Sequence, residues 1–146
     1  MIEYEKKIAQ QTLNILMKKS WNSISLEQVL KNVRVKKIYI KTKFDLLIPV
    51  SKYVDYLLIN NTKSIENSST KDMLFEVIMA RFDILNINRK SVLKLFNLIK
   101  SQPNLFLFIL PSLIETIILI LTLAEIEVKG IKGAAKIKVT LVFIFY

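Results

Sequence analysis

The chain contains no cysteine and no histidine, and it has only two glycines and three prolines. The first two absences exclude disulfides, thiol nucleophiles, imidazole bases and the common zinc sites. Few residues can form hairpin turns, and the apolar residues recur at helical spacing, so the sequence predicts an all-α protein. Because most catalytic side chains are missing, we expect a protein that is not an enzyme and that uses no metal and no cofactor.

Apolar and basic residues are abundant instead. The chain has 146 residues, of which 52% are hydrophobic, and this suits one domain with a sizeable core. Its 22 basic and 12 acidic residues give a formal net charge of +10. Such a charge predicts affinity for polyanions, either nucleic acid or anionic lipid head groups, without distinguishing between them. Residues 1–20 are amphipathic and lack the features of a signal peptide, so we expect a cytoplasmic protein.

Residues 1–59 are predicted to form an N-terminal helical unit. Apolar spacing predicts a helix over residues 2–19, and a second helix should begin at the capping box of Ser25 and Gln28. A third helix is predicted over residues 45–59. The polar run NNTKSIENSST, residues 60–70, predicts a hinge loop within one fold, because neither side of it has enough apolar surface to form a good core alone.

Residues 71–146 are predicted to form a C-terminal helical region. One helix should turn Leu74, Ile78, Phe82 and Leu85 inward, and the next should do the same with the stripe Val92, Leu95, Phe96 and Ile99. The run TLVFIFY at residues 140–146 stops without a cap or a polar tail, so we expect a clipped C-terminus.

Residues 105–124, LFLFILPSLIETIILILTLA, are apolar nearly all round, which suits a buried central helix or a membrane span. Pro111 and Glu115 favour burial. The part after Pro111 spans about 20 Å, against a hydrocarbon core of about 30 Å. A glutamate near the middle of the bilayer costs roughly 3 kcal/mol.

Residues 25–47, SLEQVLKNVRVKKIYIKTKFDLL, resemble the helix-turn-helix of TetR-type regulators. Thr42-Lys43-Phe44-Asp45-Leu46-Leu47 stands where that family has its Ser-Lys-x-x-Leu-Leu signature, but the recognition helix before it is about one turn short. Such a helix must project several side chains into the major groove. If the protein is a regulator, its contacts should therefore be mostly with DNA phosphates, and the candidate residues are Lys36, Lys37, Tyr39 and Lys41.

Three segments of the second half of the chain share a pattern with a known family: KDMLFEVIMARFDILNINRKSVLKL (residues 71–95), PNLFLFILP (residues 103–111) and VKGIKGAAKIKVTLVFIFY (residues 128–146). Together they resemble the ubiquinone-biosynthesis accessory proteins of mitochondria and alphaproteobacteria. The most specific part of the resemblance is Arg81-Phe82-Asp83 after Leu74-Phe75. The resemblance implies a TetR-like helical bundle with a degenerate helix-turn-helix and a C-terminal region for lipid binding and dimerisation.

The same resemblance implies a homodimer, peripheral at the inner membrane surface, that binds an isoprenoid quinone intermediate and presents it to the pathway hydroxylase. An apolar pocket with few polar groups suits such a lipid. The predicted walls of this pocket are Phe75, Met79, Phe82, Leu110, Leu113, Ile117 and Leu121. We expect Ser112, Glu115 and Thr122 either to orient a polar head or to face a partner. The alternative hypothesis is a TetR-type DNA-binding transcriptional regulator.

Overall fold

The computed structural model describes residues 1–33, 39–62 and 69–125. Within these ranges there are six α-helices and no β-strand, which confirms the all-helical prediction for this part of the chain. The helices are α1 Glu3–Lys18, α2 Leu26–Leu30, α3 Leu47–Asn61, α4 Thr70–Ile87, α5 Arg89–Ser101 and α6 Pro103–Leu123, with single 3-10 turns at Trp21–Ser23 and Lys43–Leu46. The TetR-like arrangement stays a prediction. The predicted clipped end at residues 140–146 lies outside the described residues.

Local sequence signals set several helix ends. Ser25 accepts a hydrogen bond from the Gln28 backbone N–H, and the Gln28 side chain accepts one from the Ser25 N–H, which confirms the predicted capping box. Ser69 caps α4 in the same way by accepting from the Asp72 N–H. Pro103 begins α6, where the missing N–H of proline costs nothing.

The segment predicted to be a helix-turn-helix is described at its two ends. After α2 the chain turns at Asn32, whose φ of 67° lies in the left-handed region that asparagine tolerates. Thr42 is extended, and the Asp45 carboxylate accepts from the backbone N–H groups of Lys41 and Thr42 at 2.8 Å each. Residues 39–42 are therefore not helical, and the rest of the predicted recognition helix lies outside the described residues.

One hydrophobic core crosses the predicted division between residues 1–59 and residues 71–146. Its buried side chains come from both parts and include Ile8, Leu13, Leu16, Val29, Leu46, Leu95, Leu105 and Ile109. Polar contacts join the same parts: Ser91 Oγ donates to the Leu13 carbonyl, and Lys94 Nζ donates to the carbonyls of Leu16 and Lys19. Lysine suits this position, because the last carbonyls of α1 have no partner within the helix.

A second group of buried side chains lies where α3, α4 and α6 pack against one another, and it consists of Val54, Leu58, Val77, Ile84 and Ile120. Three residues of the predicted stripe, Leu74, Ile78 and Leu85, are partly buried and pack against this group, whereas Phe82 is exposed. The most deeply buried residues of α4 are Met73, Val77 and Ile84, beside the predicted stripe. Apolar residues occur around most of the circumference of α4, so the positions of α3 and α6 decide which of them are covered.

Helix α6 is buried on one side only. Leu105, Ile109, Ile117 and Ile120 face inward, while Leu107 is 64% exposed. By length and composition alone α6 could cross a membrane, since its most apolar window has a mean hydropathy of 2.4, and 33% of that window is buried. The predicted burial therefore applies to one face of this helix.

Candidate functional site

A groove of about 610 Å³ lies between α3, α4, α5 and α6. Its walls are mainly aliphatic and aromatic side chains from all four helices, among them Val50, Val54, Leu85, Val92, Ile99 and Leu113. This volume falls within the range of about 300 to 1,000 Å³ that is typical of small-molecule sites. A second hollow, of about 680 Å³, is bordered by Lys18, Lys19 and Lys31 beside α1 and α2, and it is shallower and more polar.

Four polar side chains interrupt the apolar lining of the groove: Ser51, Arg81, Asn86 and Arg89. Arg81 is held in place from α3, because its Nη1 donates to the Asp55 carboxylate at 2.8 Å. The Thr116 hydroxyl of α6 donates to the same carboxylate, at 2.8 and 3.0 Å from its two oxygens. The Asp55, Arg81 and Thr116 side chains thus join three helices at the edge of the groove.

Burial raises the pKa of Asp55 above its ordinary value, although Arg81 and the Thr116 hydrogen bond act in the opposite direction. The side chains of Arg81 and Asp55 are only 14% and 18% exposed. A pair that is this far removed from water loses much of its Coulombic gain to desolvation. We therefore interpret the main effect of the pair as positional: it fixes a guanidinium group beside an apolar groove.

The seven predicted lipid-binding residues occupy different environments. Phe82 and Leu113 line the groove, and Leu110 is partly buried outside the lining. Ile117 and Leu121 are buried in the interior, and Phe75 and Met79 lie on the outer face of α4. Ile117 and Leu121 are each 1% exposed and Phe75 is 65% exposed. The structure thus places Ile117 and Leu121 in the core and Phe75 and Met79 at the surface, because α3 packs against the other faces of α4 and α6.

The polar residues predicted to orient a head group also lie off the groove lining. Glu115 is exposed, and the Thr122 hydroxyl donates to the Ile118 carbonyl at 2.7 Å. The polar group of α6 that reaches the groove edge is Thr116, through Asp55. Sequence reasoning missed the contribution of α5, although its apolar stripe was visible, because that stripe was assigned to the core.

The four predicted DNA contacts are described only in part. Lys36 and Lys37 lie outside the described residues, and Lys41 is exposed. The Tyr39 hydroxyl donates to Glu5 Oε1 at 2.9 Å, and Lys52 donates to the same oxygen at 2.9 Å. Burial, together with this bond, raises the pKa of Tyr39. A tyrosine has one O–H, so Tyr39 cannot donate to a phosphate while it is bound to Glu5.

No protein-family model, curated protein or solved structure matches the chain. The two family resemblances therefore stay predictions, and the geometry of the groove is the basis for its function.

Proposed function

We propose that the protein is a non-enzymatic binding protein that holds an elongated apolar ligand in the groove between α3, α4, α5 and α6. The observation that carries this proposal is the nearly continuous apolar lining of a groove of about 610 Å³, with its few polar groups from α3, α4 and the start of α5. Burial of apolar surface drives the binding of such a ligand, at about 25 cal/mol per Å². The polar groups would orient one end of it.

The ligand that the sequence resemblance suggests is an isoprenoid quinone intermediate, which the protein would present to the hydroxylase of ubiquinone biosynthesis. Quinone carbonyl and hydroxyl oxygens accept hydrogen bonds, and the groove offers donors in Arg81 and Asn86. Presentation by a homodimer at the inner membrane surface would use the outer faces of α4 and α6. Phe75 on α4 and Leu107 and Ile114 on α6 are exposed there and could contact a lipid surface or a partner.

We expect Val92→Trp to weaken ligand binding at least tenfold, because Val92 lines the groove and the larger ring would occupy its volume. The probe is a benzoquinone with a decyl tail, and its binding is measured by isothermal titration calorimetry and confirmed by native mass spectrometry. Overpacking typically costs about 1 to 3 kcal/mol, so the helical circular-dichroism signal should persist.

The matched control for this substitution is Leu107→Trp, which places the same ring on the exposed face of α6, away from the groove. The control should bind the probe like the parent, as judged by mass spectrometry. If the parent fails to bind the probe, or if both variants bind it as well as the parent, the groove is not a ligand site.

A further inference from the structure

The two arginines of the groove are in different electrostatic situations. Arg81 is paired with Asp55 at 2.8 Å. Arg89 begins α5 at the corner between α4 and α5, and within the described part of the chain it takes part in no salt bridge. Among the described residues that line the groove there is no aspartate or glutamate. Among the described residues, the groove lining therefore holds one arginine in a salt bridge, Arg81, and one that forms none, Arg89.

We infer that the ligand of this groove is an anion, with an apolar chain along the walls and an ionised carboxylate against Arg89. This inference rests on the proposed function, and it assigns the elongated apolar ligand an acidic head group in place of the neutral quinone that the sequence resemblance suggests. A guanidinium group presents two parallel N–H donors that match the two oxygens of a carboxylate.

Position within the groove favours Arg89 over Arg81 as the contact for the head group. Asp55 already neutralises Arg81, and Asp55 is itself held by Thr116 from α6. Arg89 is exposed and stands beside Asn86, which adds a neutral amide donor at the same end of the groove. From this end Val92 and Ile99 continue the lining along α5, with a spacing of seven residues, which is about two helical turns or roughly 10 Å. A chain anchored at Arg89 can therefore lie along α5.

The test compares two probes that share a chain and differ in the head, dodecanoate and 1-dodecanol, by isothermal titration calorimetry at neutral pH below their aggregation limits. We expect the parent to bind dodecanoate about tenfold more tightly than the alcohol, which corresponds to about 1.4 kcal/mol. Arg89→Gln should remove this preference by weakening dodecanoate alone. Arg89 is exposed, so the substitution should not disturb folding, and circular dichroism checks this.

The control is Lys90→Gln, which removes the same charge from the neighbouring exposed residue, outside the groove lining. It should keep the preference for dodecanoate. Equal binding of acid and alcohol by the parent would overturn the anion inference and leave the apolar site standing. Binding of neither probe would overturn both. An equal loss in Lys90→Gln and Arg89→Gln would show that net charge, and not Arg89, attracts the anion.

Discussion

Asp55→Ala is expected to lower the free energy of unfolding by about 3 kcal/mol, as measured by urea denaturation followed by circular dichroism. The substitution leaves the guanidinium of Arg81 and the hydroxyl of Thr116 without their shared acceptor, in a place where both are largely removed from water. Breaking a buried ion pair by removing one partner costs about 3 to 5 kcal/mol. The lower end of this energy range applies here, because the side chains of Asp55 and Arg81 are both partly accessible to water.

The control is Asp83→Ala, which removes an exposed acid from α4 and should change stability by less than about 0.5 kcal/mol. A loss in Asp55→Ala that is no larger than in the control would mean that the Asp55, Arg81 and Thr116 side chains do not hold the three helices together.

Asp55→Asn should cost less than Asp55→Ala, and its cost should depend on pH. The amide oxygen can still accept from Thr116 and Arg81, while the charge that burial disfavours is gone. Because the folded-state pKa of Asp55 is raised, its contribution to stability is complete below its ordinary value of 3.8 and is lost as the pH rises through the raised value. The advantage of the parent over Asp55→Asn should therefore be largest below about pH 4 and shrink as the pH rises above it. If the difference in stability grew with pH, the attraction of Arg81 would have a larger effect on the pKa of Asp55 than its burial has.

Leu16→Ala is expected to destabilise the whole described fold by about 3 to 4 kcal/mol in a single transition. Leu16 is 0% exposed and belongs to the core that includes side chains of α1, α3, α5 and α6. Truncation of a buried leucine removes its transfer free energy and leaves a cavity, which together cost about 3 to 5 kcal/mol. Met17→Ala, on the exposed side of the same helix, is the control and should cost less than about 1 kcal/mol.

The single-transition part of this prediction uses the one tryptophan of the chain. Trp21 packs against the same core and stacks on Phe44, with 6.1 Å between the ring centroids, so its fluorescence reports on the N-terminal part. Circular dichroism reports on all the helices. If residues 1–59 and 71–146 share one cooperative core, the two signals should change at the same urea concentration in the parent and in Leu16→Ala. Separate transitions would mean that the polar loop divides two units that unfold independently.

The candidate site could be predicted only in part. Phe82 and Leu113 were predicted as ligand walls and line the groove, whereas Ile117 and Leu121, from the same pattern on α6, are buried in the core. Helices that are apolar on most sides satisfy many rotations equally well, and the periodicity of α4 and α6 therefore could not select the faces that border the groove. Arg89 carried no sequence signal, because an isolated arginine is common on a solvated surface.

The sequence alone determined the features that depend on residues a few positions apart. The scarcity of glycine and proline and the helical apolar spacing predicted the helices, and Ser25 with Gln28 predicted where α2 begins. Tertiary structure alone decided which faces meet. Asp55 binds Arg81, which lies 26 residues away in the sequence, and Thr116, which lies 61 residues away. No local sequence pattern links residues at such separations. Caps and turns act through neighbouring backbone groups, whereas the groove and its charged edge exist only once four separate helices have packed and excluded water.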